Sequence, residues 1–102
     1  LYLKREVRME AKLARSTAGH DCGKIYVVIR EEPGSVWLAD GRLKTVDKPK
    51  RKNSRHVQLI KKIPGPVAEL LCGETVPTDV ELKRALKLYE KSVEKERHFQ
   101  GD

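Results

Sequence analysis

Apolar residues come in short bursts along most of this chain and settle into a helical period only near its end. "AKLARST" (11–17) reads as a short strand with Leu13 facing inward. "KIYVVIRE" (24–31) is the clearest strand, because its run from Ile25 to Ile29 is β-branched and aromatic. "EPGS" (32–35) is a proline turn. "VWLAD" (36–40) is the next strand, and the Asp-Gly pair at 40–41 predicts a tight hairpin into "RLKTV" (42–46). A polar segment follows, then a further strand at "HVQLIKKI" (56–63), closed by "PGP" (64–66). Four or five short strands, with a turn about every 7–12 residues, predict a small antiparallel barrel rather than alternating strand–helix units.

The end of the chain changes period. "TDVE" (78–81) has the form of a capping box, in which Thr78 and Glu81 each satisfy the other's free backbone amide. Leu82, Ala85, Leu86, Tyr89 and Val93 then recur at helical spacing. The pattern predicts a helix over 79–97 docked on the barrel by this stripe. Its other face, with Lys83, Lys87, Glu90, Lys91, Glu94 and Lys95, reads as solvated. The predicted organisation is an N-terminal extension (1–10), the barrel (11–63), an irregular connector (64–77) and a C-terminal helix and tail (78–102). The fold class is therefore mainly β with a docked C-terminal helix.

Charge sharpens this picture. The net charge is +7, but it is not spread evenly. Residues 41–62 hold nine of the 22 basic side chains and one of the 15 acidic ones, Asp47. The rest of the chain is near-neutral. One strongly positive block on a neutral domain is the footprint of a polyanion partner. Membrane attachment is not expected, because the block is broken by Pro49 and has no apolar face, and no run of about 18 apolar residues exists. The basic block is read as a loop whose Lys and Arg side chains neutralise phosphates.

Catalysis and cofactors are not expected. The chain has no nucleophile elbow, phosphate-loop signature or zinc-protease helix. Cys22 and Cys72 do not make a disulfide framework and read as reduced thiols, buried or half-buried, of an intracellular protein. His20-Asp21-Cys22 is not a zinc spacing, so no metal is assigned.

The turn at 18–24, "AGHDCGK", places Gly19 and Gly23 between two strands. Glycine permits positive φ there and lets turn amides approach a phosphate. Asp21 is expected to bond its own turn backbone. Trp37 and Tyr26 read as core residues. His56 borders the basic block and reads equally as a phosphate contact or a neutral residue at a strand edge.

"RSTAGHDCGKIYVVI" (15–29) resembles the KOW motif, in the version found in archaeal and eukaryotic-type KOW ribosomal proteins of the large subunit and their small bacterial relatives. Ala18, Gly19, Asp21, Gly23 and Lys24 carry the likeness. So does "ADGRLKTVDKPKRKN" (39–53), with Asp40, Gly41, Arg42, Lys48, Pro49, Lys50, Arg51, Lys52 and Asn53, followed by His56. The chain departs from the pattern at His20, Cys22 and Ala11, where Arg, Lys and Gly are usual; the first two lower the charge of the turn.

The resemblance implies an SH3-like barrel that binds RNA, often ribosomal RNA, without catalysis. The expected RNA contacts are Lys24, Arg42, Lys44, Lys48, Lys50, Arg51, Lys52, Asn53, Arg55 and His56, beside the turn formed by Gly19, Asp21 and Gly23. The expected partners are RNA and ribosomal proteins in the cytoplasm, with no membrane and no small-molecule substrate. The other class weighed is a KOW-type protein-interaction module of the transcription or translation machinery, docking an acidic surface with the same loop.

Overall fold

The structure is a computed structural model that describes residues 12–72 and 77–100, with the backbone alone for 95–100. The predicted extension at 1–10 lies outside the described residues. Five strands form one antiparallel sheet: β1 (Leu13–Ser16), β2 (Ile25–Glu32), β3 (Ser35–Ala39), β4 (Lys50–Asn53) and β5 (Val57–Ile60). Their order is β4-β3-β2-β1-β5. The first four strands meander, and β5 returns to the free side of β1, with Leu13 opposite Ile60 and Ser16 opposite Val57.

Alternation along the strands gives the sheet two apolar faces. Leu13, Val27 and Ala39 point one way, into a core completed by Val67, Leu71, Leu82 and Ala85 of two helices. Ala14, Tyr26, Val28, Val36 and Leu38 point the other way and form a second core, edged by Val57. A β-bulge interrupts the pairing of β2 with β3. Val28 faces Leu38 and Arg30 faces Trp37, so Ile29 is the extra residue.

Helix α1 (Gly65–Leu71) occupies the first half of the segment expected to be an irregular connector. Pro64 is its N-cap and Pro66 sits in its first turn, where a missing amide costs nothing. "PGP" therefore ends one element and opens the next. Val67 and Leu71, four apart, seal one face of α1 onto the core.

Helix α2 runs Asp79–Gln100, three residues beyond the predicted end. Its capping box is formed: the Thr78 amide donates to Glu81 Oε1 at 2.8 Å, and the Glu81 amide to Thr78 Oγ1 at 3.3 Å. Leu82 and Ala85 of the predicted stripe are fully buried, and Leu86 and Tyr89 pack beside them.

The predicted hairpin at 40–41 is not formed, and 42–46 is not a strand. The cause is Asp40. Its Oδ1 accepts from the amides of Arg42 (2.9 Å) and Lys44 (3.0 Å), which winds the chain into a compact loop. Gly41, at φ +82°, lies against α2, where a Cβ would overlap the carbonyl oxygen of Asp79. The Val46 amide donates to Asp79 Oδ1 at 2.8 Å. The loop is thus fastened to the start of the helix, and the strand that pairs with β3 is drawn instead from the basic block.

Candidate nucleic-acid interface

The structure divides the basic block three ways. Residues 50–53, expected in a loop, are strand β4, and 54–56 form a single 3-10 turn. In a strand, Lys50 and Lys52 share one face and Arg51 takes the other.

Lys50 and Lys52 point toward the second core and meet Asp21. Lys50 Nζ lies 3.0 Å from Asp21 Oδ2, and Lys52 Nζ lies 2.8 Å from Oδ1. Lys52 also donates to the Ala18 carbonyl at 3.0 Å, and its side chain is only 10% exposed. Ser16 Oγ and the Tyr26 hydroxyl complete the ring of donors around Asp21, at 2.8 and 2.7 Å. The Asp21 side chain is therefore not the local turn acceptor expected. It ties the β1–β2 turn to the sheet's edge strand. Burial alone would raise its pKa, but hydrogen bonds from Lys52, Tyr26, Lys50 and Ser16 outweigh burial and hold the carboxyl well below the usual carboxylate range. Burial, then the neighbouring Asp21, push the Tyr26 phenol above its ordinary value.

Gly19 and Gly23 both adopt positive φ, as the turn reading requires. The Gly23 amide donates to the Ser16 carbonyl at 2.7 Å, so it serves the turn itself. Asn53 also has a structural task. Its side chain accepts from the Arg55 amide at 3.0 Å and caps the 3-10 turn. Lys48, Arg55 and His56 are exposed, and Lys44 is half-buried in the Asp40 loop. Trp37, expected in the core, belongs to neither core and stands between Arg30 and Arg51.

A second basic feature was not read from the sequence. A groove of about 710 Å³ runs between the β1–β2 turn, the Asp40 loop and the outer side of α2. The turn supplies Lys24, the loop Arg42, and the helix Lys83, Arg84 and Lys87. Asp40 and Glu90 are its carboxylates. Lys24 Nζ lies 2.7 Å from Asp40 Oδ2, so those two charges cancel. Burial would raise Asp40, but Lys24 and the amides of Arg42 and Lys44 hold its pKa below the ordinary value. Arg42, Lys83, Arg84 and Lys87 then face Glu90 alone, and none of the four has an ion-pair partner among the described residues. The helix face read as merely solvated is, between Lys83 and Glu90, one wall of a positive groove. The signal in the sequence was Lys83 and Arg84 at four and three residues before Lys87, the two spacings that make helix neighbours.

Cys22 and Cys72 are exposed free thiols, contrary to the buried or half-buried state expected. Among the described residues, no group of three or more His, Cys, Asp or Glu comes together, and no helix is long and apolar enough to cross a membrane. No family model and no curated protein matches this chain.

Proposed function

We propose that this protein is a non-catalytic RNA-binding module of the KOW type, acting at the ribosome in the cytoplasm and holding RNA by its backbone phosphates. The observation that carries the reading is the groove, in which a loop and a helix bring four cations to one place beside the paired Lys24, and a single uncommitted carboxylate opposes the four. Like charges brought together repel, and an anion relieves the repulsion. The groove is open to solvent rather than enclosed, which leaves its cations accessible to the phosphates of a large partner. The exposed Lys48, Arg55 and His56 extend the positive surface beyond it.

The SH3-like barrel is part of the proposal. In its favour are the strand order, with β5 beside β1, and the Asp21 bridge from the β1–β2 turn to β4. The KOW assignment rests on the Gly19–Gly23 turn and the Lys-Pro-Lys-Arg-Lys-Asn stretch.

The test is binding of a structured RNA as a function of salt. Four groove cations engaging about four phosphates give a log–log slope of about −3 to −3.5. Absence of binding at 50 mM salt, or a slope near zero, would reject the reading.

A further inference from the structure

Trp37 is the only tryptophan of the chain. It packs into neither core. Its neighbours are the guanidinium carbons of Arg30, 4.6 Å from the ring centroid, and Arg51, 5.8 Å away. The three residues form one row across β2, β3 and β4, with Arg30 and Arg51 directly opposite Trp37.

The row depends on the β-bulge. Without the extra residue, Ile29 alone would stand opposite Trp37, and an aliphatic–aromatic pair would result. With it, Arg30 is turned to the face of Trp37. Bulges are common where a side chain must be re-aimed, and they cost a local disruption of the ladder. The two arginines are not equivalent. Arg30 is ion-paired with Glu32. Arg51 is exposed on the edge strand and has no carboxylate partner among the described residues. Its neighbours Lys50 and Lys52 are committed to Asp21 on the other face. Arg51 is thus the one cation of residues 50–52 free to meet an outside anion, and it stands beside a half-buried indole.

We infer that Trp37 and Arg51 form a stacking site for an unpaired nucleobase, Trp37 taking the base and Arg51 the adjoining phosphate or the second face of the base. Planar guanidinium and indole groups side by side are what single-stranded or looped-out bases stack on. A duplex does not offer such a base, because its bases already stack on each other. The inference rests on the RNA reading above and deepens it: the site would prefer RNA with unpaired residues.

Because Trp37 is the sole tryptophan, its emission reports on the site directly. The intact protein is titrated with a short single-stranded oligoribonucleotide, with a blunt RNA duplex of the same length, and with inorganic polyphosphate, while binding is followed by competition with a labelled RNA. Quenching of Trp37 by the single strand alone is the expected result. Trp37→Leu should weaken single-strand binding about tenfold and leave the salt slope unchanged, and Trp37→Phe should restore most of the loss. RNA binding without any change in Trp37 emission overturns the stacking site and leaves the RNA reading intact. Equal quenching by polyphosphate, or an unaltered affinity in a folded Trp37→Leu protein, also overturns it. Failure of every RNA to bind overturns both.

Discussion

Lys52 donates to Asp21 across 31 residues of sequence, at 2.8 Å and with its side chain only 10% exposed. The contact makes the first turn and the edge strand of the sheet a single unit, and it makes a lysine of the basic block part of the protein's own framework. Removing the anion would leave Lys50 and Lys52 facing each other without compensation. Asp21→Asn should therefore destabilise the fold by about 3 kcal/mol, in the range found when one partner of a buried pair is lost. Lys52→Ala should also be costly, whereas Arg51→Ala, on the exposed face, should change stability by no more than about 0.5 kcal/mol. Chemical denaturation of the three variants checks the contrast. Equal stability of Lys52→Ala and wild type would show that the pair contributes nothing.

This contact and the one between Asp40 and Lys24 set an acid limit. The pKa values of Asp21 and Asp40 are lower in the folded protein than in the unfolded chain. Below about pH 4, the ordinary aspartate value, the unfolded chain takes up protons that the folded protein resists. Stability from these groups is fully present above that pH and declines as pH falls through the folded values. Urea midpoints between pH 6 and pH 2 should drop steadily below pH 4, and Asp21→Asn should flatten much of the drop. A variant as acid-sensitive as wild type would place the acid response elsewhere.

Gly41 is the hinge on which the Asp40 loop rests against α2. Alanine there meets two obstacles: a positive φ, costing about 1–2 kcal/mol, and overlap with the Asp79 carbonyl. Gly41→Ala should lower stability by about 2–4 kcal/mol. Gly34, also at positive φ but with open space around its Cβ position, should tolerate alanine better. Thermal melts of the two variants side by side read the difference; matching melts would mean that the loop yields without cost.

These contacts also explain what was legible in the sequence. The strand at Ile25 and the capped helix at Thr78 were readable because their signals are local: a β-branched run and a reciprocal cap. Strand β4 was not, because its inward positions are lysines. Their aliphatic stems lie along the sheet while the ammoniums reach an acid 29 and 31 residues away. The hairpin expected at Asp40-Gly41 failed for a related reason. Asp-Gly signals a turn, but the choice between a tight hairpin and a wider loop was made by the packing of Gly41 and Val46 on Asp79, which no local pattern carries. The groove was hidden too, since Lys83 and Lys87 gain a role only when Lys24 and Arg42 are brought opposite them. Cations in the linear block were easy to see, and two of them proved to be internally paired.

Under the proposed RNA reading, that division predicts which cations RNA should feel. Lys83 and Lys87 lie on an exposed helix side, so replacing both with alanine should leave the fold intact or slightly firmer, alanine being the best helix former. If they hold phosphates, the double variant should lose about 1.5–2 from the slope of log affinity against log salt. It should weaken all RNA sequences alike, since phosphate contacts carry no base information. Lys48→Ala combined with Arg55→Ala removes two exposed cations of the linear block outside the groove lining, and should lower the slope less. The measurement is fluorescence anisotropy from 50 to 200 mM salt on both double variants and wild type. A full slope in the helix variant together with a reduced one in the Lys48/Arg55 variant would move the RNA from the groove to the β4 edge, because both proteins carry the same net charge and differ only in where the two charges were removed.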